Sequence, residues 1–147
     1  LAATGAALTG YLIQGLLNNS LQPIKQDNSK SGWYGRPKVE DLEIRWAEMD
    51  ASEIRALVNA TNPWNRGAIV RYRGWTFALA DVSISDFQVP AGTAPGTILT
   101  LNEQEGLIIS CKSEQAIRVE VFYTEEGFFT GFRLKTFGLN SGIQLIN

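Results

Sequence analysis

The chain has 147 residues, 44% of them hydrophobic and 19% charged, the balance of a soluble globular protein with one compact core and not of a disordered or fibrous chain. A formal net charge of -2 gives no global attraction to nucleic acid or to an acidic membrane, and the longest apolar runs, at residues 12–17 and 107–111, are too short to span a bilayer. There is no histidine, which removes the commonest general base near neutral pH, the Ser-His and Cys-His dyads and the usual zinc ligand, so an enzyme complete in this chain is disfavoured.

The first residues, Leu1-Ala2-Ala3-Thr4-Gly5-Ala6-Ala7-Leu8, read like the middle of a helix, with neither an initiator Met nor the basic stretch of a secretory signal. We therefore expect a piece of a longer protein. Residues 1–19 form a helix with Leu1, Leu8, Leu12, Ile13, Leu16 and Leu17 on a broad apolar face. Gly5, Gly10 and Gly15 lower its intrinsic propensity, so it depends on packing against something else. Residues 22–38, with Pro23, Gly32, Gly35 and Pro37, have the composition of a linker, although Trp33 and Tyr34 are large for a purely solvated one.

Leu42-Glu43-Ile44-Arg45-Trp46 alternates apolar and polar residues and predicts a short extended piece. Asp50 and Glu53 then have the N-cap and N3 spacing of a capping box. Ile54, Leu57, Val58 and Thr61 fall on one helical face, and Pro63 stops the helix. From Gly67 onward the pattern is that of strands: 68–72, a hairpin turn at Arg73-Gly74, 75–79, then 97–101, 107–111 and 116–123. Short strands at this spacing, with no long helix between them, predict a small antiparallel barrel. Cys111, the only cysteine, lies in the dense apolar run Leu107-Ile108-Ile109-Ser110-Cys111, where a buried and inert thiol is the expectation.

Three stretches resemble the C-terminal region of folate-dependent formyltransferases of the methionyl-tRNA formyltransferase-like family. Residues 26–46, from Gln26-Asp27 through Trp33-Tyr34 to Asp41-Leu42-Glu43-Ile44-Arg45-Trp46, are similar to the linker leaving that family's catalytic domain. The helix at 52–60 with Asn62-Pro63-Trp64-Asn65-Arg66-Gly67-Ala68 is similar to its short helix and Asn-Pro-Trp turn. Ala94-Pro95-Gly96-Thr97-Ile98-Leu99 with Gly106-Leu107-Ile108-Ile109-Ser110-Cys111 resembles its Pro-Gly loop and following strand. The resemblance implies a mainly β fold with a few helices, a small OB-like antiparallel barrel preceded by an N-terminal helix and a linker. It divides the chain into 1–21, the last helix of a Rossmann-like catalytic domain; 22–40, the linker; and 41–147, the OB-like domain.

On this reading the family's catalytic Asn, His and Asp and its folate pocket lie upstream, so the chain alone is expected to be inactive, with no catalytic, cofactor-binding or metal residue of its own. The parent enzyme would use 10-formyltetrahydrofolate in the cytoplasm, and the partners implied are the catalytic domain and a tRNA or nucleotide-sugar acceptor. A homodimer through the N-terminal helix is an alternative partnership. The leading reading is a non-catalytic domain that helps to position a formyl-acceptor tRNA; after Val121 the sequence departs from housekeeping methionyl-tRNA enzymes, which keeps open a second, the structural or assembly domain of a sugar N-formyltransferase, and a free-standing OB-like nucleic-acid-binding module is the third.

Two residue groups are candidates for contact with RNA or substrate. Arg66, Arg71 and Arg73 are the densest basic group, and on a strand Arg71 and Arg73 would leave the same face beside Tyr72 and Trp75. The plainer alternative is a solvated strand face that discourages edge pairing. Trp33, Tyr34 and Arg36 could pack on a base and pair with a phosphate, against the plainer reading that the aromatics anchor the linker.

Overall fold

A computed structural model describes residues 2–33, 35–62 and 66–146, which fall into two units, Leu1–Gly35 and Arg36–Asn147. In the first, helix α1 (Ala2–Leu17) carries no charged side chain and exposes Leu8, Tyr11, Leu12, Ile13, Leu16 and Leu17. Its last turn is closed by Ser20, whose N–H donates to the Gly15 carbonyl at 3.0 Å, and Leu21 packs against Gly15, where a Cβ would collide with its side chain. A single 3-10 turn at Asn28–Lys30 is capped by Asp27.

The second unit opens with a 3-10 turn at Val39–Leu42 and continues into helix α2 (Ala51–Thr61), where the capping box forms as the sequence predicts. The Asp50 carboxylate accepts from the N–H groups of Ser52 and Glu53 at 2.9 Å each, while Glu53 accepts from the Asp50 N–H at 2.9 Å. Ala51, Ile54, Val58 and Thr61 are buried, one face at helical spacing. The role given to Pro63 lies outside the described residues. These hydrogen bonds hold the Asp50 carboxyl below its ordinary pKa, the largest cause being the Glu53 N–H. A carboxyl lowered on folding stabilises the fold above the ordinary carboxylate range and loses that contribution as the pH falls through the lowered folded value. Asp50→Asn caps without titrating, so the gap in melting temperature between wild type and variant is expected to shrink towards zero on acidification; a gap that held constant to low pH would count against this account.

Six antiparallel strands follow: β1 (Ala68–Tyr72), β2 (Trp75–Ser85), β3 (Ile98–Asn102), β4 (Gly106–Ser110), β5 (Ala116–Thr124) and β6 (Gly127–Thr130). Their order is β1-β2-β5-β4-β3, with β6 paired to the outer half of β5. The mainly β fold expected from the sequence is what forms. β2 is longer than its alternation predicts, because the register slips between Leu79 and Val82 and the in–out pattern changes there. Asn62, in the family-like Asn-Pro-Trp turn, donates its side-chain amide to the Ala80 carbonyl at this bulge, 2.8 Å away.

The two ends of the ladder are flanked by irregular chain. Beyond β1, the Ile44 N–H donates to the Ile69 carbonyl at 2.9 Å. Beyond β3, Ile98 and Leu145 donate to Ile143 and Gly96, both at 2.8 Å. Trp46, next in the alternation after Ile44, packs beside Gly96 and shares a cleft with Gln144 and Leu145, so side chains draw together what the hydrogen-bond ladder leaves open. The core runs from Ile44, Ile54 and Val58 through Leu79, Ile109 and Ile117 to Phe122, Leu134 and Leu145.

Candidate functional site

β1 sets the positions of the three arginines, and it separates them. Arg66 precedes the strand with a left-handed backbone (φ 63) that turns the chain into Gly67. From there its guanidinium lies 4.6 Å from the centroid of the Tyr123 ring on β5 and donates to the Tyr123 hydroxyl. Tyr123 in turn meets Phe128 of β6 at 4.9 Å, and Phe128 is 59% exposed. Guanidinium, phenol and phenyl therefore form one exposed cluster built from three places in the chain.

Arg71 is on β1, where its Nε donates to Glu43 at 2.6 Å. Arg73 does not share its strand face. It occupies the β1–β2 turn with φ 48, followed by Gly74 at φ 84, the pair of positive angles that a tight hairpin requires. Its guanidinium sits 5.3 Å from the Tyr72 ring. The two-residue spacing would have put Arg71 and Arg73 together on an extended strand; the turn begins one residue too early for that. Arg66 and Arg73 thus stand at opposite ends of β1, each on a tyrosine, with Arg71 neutralised by a carboxylate near the second.

Of the second group, Trp33 is 95% exposed and belongs to the first unit, Arg36 is exposed and opens the second, and Tyr34 lies outside the described residues. The partnership of Arg66 with Tyr123 spans 57 residues, and nothing in the local sequence pattern announces it.

The motif stretches are structural joints. Gly96 has φ 84 and lies against the Leu145 carbonyl and Trp46, so a side chain would part β3 from the C-terminal segment. The Ser110 hydroxyl donates to the Ala94 carbonyl at 2.8 Å and accepts from the Thr97 N–H at 2.9 Å, locking the Pro95-Gly96-Thr97 loop onto β4.

Comparison with known proteins shows the family to which this fold belongs. The family described as "Formyl transferase, C-terminal domain" matches residues 37–127. The chain belongs to that family. A methionyl-tRNA formyltransferase of Clostridium botulinum is 32% identical over 76% of this chain and 34% of its own length. One from Bacillus velezensis is 30% identical over 81% of this chain and 36% of its own, and one from Natranaerobius thermophilus is 24% identical over 88% and 42%. The chain therefore spans about a third to two fifths of the length of these relatives. Among solved structures, HypX from Aquifex aeolicus in complex with tetrahydrofolic acid superposes with a TM-score of 0.59 at 17% identity, over 83% of this chain and 21% of that one. A variant of HypX gives 0.65 at 16% identity, over 92% and 23%. These two likenesses are likenesses of fold.

Within this formyl transferase C-terminal domain Cys111 is 2% exposed, and burial pushes its thiol up to about 12. It is expected to resist alkylation at neutral pH until the protein unfolds, as the intact mass after iodoacetamide treatment with and without urea would report. Rapid labelling of the native chain would contradict that burial. Among the described residues no group of three or more Cys, Asp or Glu could hold a metal ion, and no helix is long and apolar enough to cross a membrane.

Proposed function

We propose that the chain is the acceptor-positioning module of a cytoplasmic, 10-formyltetrahydrofolate-dependent formyltransferase that acts on methionyl-tRNA. The observation that carries this reading is the match, at 30–32% identity over 76–81% of the chain, to proteins named methionyl-tRNA formyltransferase. It favours a tRNA acceptor over an amino sugar. The folate and the chemistry of formyl transfer belong to a catalytic domain, and α1, uncharged and rich in exposed leucine, is the element that would dock there; self-association through α1 is the alternative.

The geometry supports contact with RNA. Arg66 and Arg73 are both exposed, and each is pre-positioned on a tyrosine ring, so little side-chain freedom remains to be lost when a phosphate arrives. Arg71 already shares its charge with Glu43. Binding through two or three phosphate contacts is weak and salt-sensitive, with a slope of log affinity against log salt of roughly −2 to −3.

Titrating a fluorescent tRNA with the purified chain at two salt concentrations tests the reading. The Arg66→Gln plus Arg73→Gln variant is expected to bind more weakly and to lower the slope by about 2. Equal binding by wild type and variant would remove these arginines from the interface. Formyl transfer catalysed by the chain alone would overturn a purely positioning role.

A further inference from the structure

The segment after β6 is a 3-10 turn, Gly131–Phe137, that no motif marks. With three residues per turn, positions 131, 134 and 137 lie on one side. Gly131 packs against the Val119 carbonyl, Leu134 is fully buried, and Phe137 stacks at 5.4 Å on Trp75 and meets Phe122 edge-on at 5.6 Å. All three inward positions are filled. Phe132, Arg133, Lys135 and Thr136 are left on the other side, on a backbone that the core holds fixed.

There they face the end of β3. Phe132, Arg133, Lys135 and Thr136 line a surface groove of about 750 Å3 with Leu101, Asn102 and Glu103. That is within the roughly 300–1,000 Å3 of clefts that hold nucleotide-sized ligands. The β3–β4 turn on this side is fixed by Asn102, whose side-chain oxygen accepts from Gln104 and Glu105 at 2.9 and 2.7 Å and whose amide donates to the Glu105 carboxylate. Glu105 is thus occupied, and Glu103 is the acidic side chain that lines the groove against two cations. Unlike Arg66, Arg71 and Arg73, each held by a tyrosine or a carboxylate, neither Arg133 nor Lys135 has an ion pair among the described residues. Phe132 is half-exposed and is not among the partly buried side chains packed against the core.

We propose that this groove binds a single-stranded RNA segment, with phosphates on Arg133 and Lys135 and an unstacked base on Phe132. Two cations lining the same groove as a flat apolar ring suit a ligand that alternates charge with a planar face. Glu103 supplies an acceptor for a ribose hydroxyl or a base amino group. An acidic peptide would satisfy the cations, leave the ring without a partner and set its carboxylates against Glu103. The choice of RNA rests on the reading proposed above; the groove itself does not.

The test is a titration of the purified chain with a short fluorescent oligouridylate, with polyglutamate as a competitor. Phe132→Leu is expected to weaken binding about fivefold to a hundredfold, while Phe132→Tyr, which keeps a ring, binds like wild type. Arg133→Gln plus Lys135→Gln is expected to weaken binding and reduce the salt slope by roughly 1.4. Each variant is first matched to wild type by its near-ultraviolet circular dichroism. Oligouridylate that fails to bind, binding that ignores all these variants, or polyglutamate competing equally well with no effect of Phe132→Leu would each overturn the proposal. tRNA binding lost in the Arg66/Arg73 variant and intact in the groove variants would refute the groove while leaving the proposed function standing. Groove-dependent oligouridylate binding without affinity for tRNA would do the reverse.

Discussion

Gly67→Ala is expected to destabilise the second unit by roughly 3–5 kcal/mol, combining a strained backbone at about 1–3 kcal/mol with overpacking of similar size. Gly67 has φ 116, a region that side chains avoid, and its missing Cβ points directly at the Leu79 carbonyl and the Ala80 backbone of β2. It sits between Arg66 and β1, so relief of the clash requires separating β1 from β2 where Ala68 pairs with Leu79. Gly74→Ala is the control. Gly74 also has a positive φ, at 84, but nothing lies within 4 Å of where its Cβ would be. That variant should lose only the strain, about 1 kcal/mol. Urea midpoints at constant slope measure both. Equal losses for the two glycines would mean that close approach at β2 is not what selects Gly67.

Phe122→Ala is expected to cost about 3–5 kcal/mol, the range for removing a fully buried aromatic ring. Phe122 has no exposed surface and is the hub of the ring cluster, edge-on to Phe77 at 6.1 Å and to Phe137 at 5.6 Å, and stacked on Phe129 at 5.6 Å. The loss would also loosen the 3-10 turn, because Phe137 is one of its three inward anchors. Phe128→Ala, one pairing position away and so on the outer face, removes a ring that is 59% exposed and should change stability little. A loss below about 1.5 kcal/mol for Phe122→Ala would show that the cluster can collapse around the cavity. A large loss for Phe128→Ala would show that the outer cluster with Tyr123 and Arg66 contributes to stability in its own right.

Elements whose cause is local were legible in the sequence. The Asp50/Glu53 box needs only three-residue spacing to place the start of α2, and Ile54 and Val58 needed only helical periodicity to be assigned inward. Ile44 and Trp46 alternate with polar neighbours and are both buried, although the chain there makes one bridge to Ile69 and not a strand of its own. β2 was legible only as far as Leu79, where the bulge breaks the two-residue period from which a strand is read. β6 and the turn after it were missed because Gly127-Phe128-Phe129-Thr130 is short and its apolar residues do not alternate.

The family was legible for a related reason. Its signature residues are joints: Asn62 at the bulge, Gly67 against β2, Gly96 and Ser110 where the C-terminal segment meets β3 and β4. Such positions tolerate few side chains, and they lie in two of the three stretches on which the resemblance rests.

The sequence by itself determined the class of fold, the capped helix, the inert cysteine and the absence of histidine chemistry, because each depends on composition or on spacing within one element. Only the tertiary structure decided what the charged and aromatic side chains can meet. It set Arg66 on Tyr123, 57 residues away, gave Arg71 to Glu43, 28 residues away, and turned Arg73 off the strand. It also placed Arg133 and Lys135 beside β3. A charge becomes a site through its neighbours, and in an antiparallel sheet those neighbours are fixed by strand pairing and register, which no local window of sequence contains.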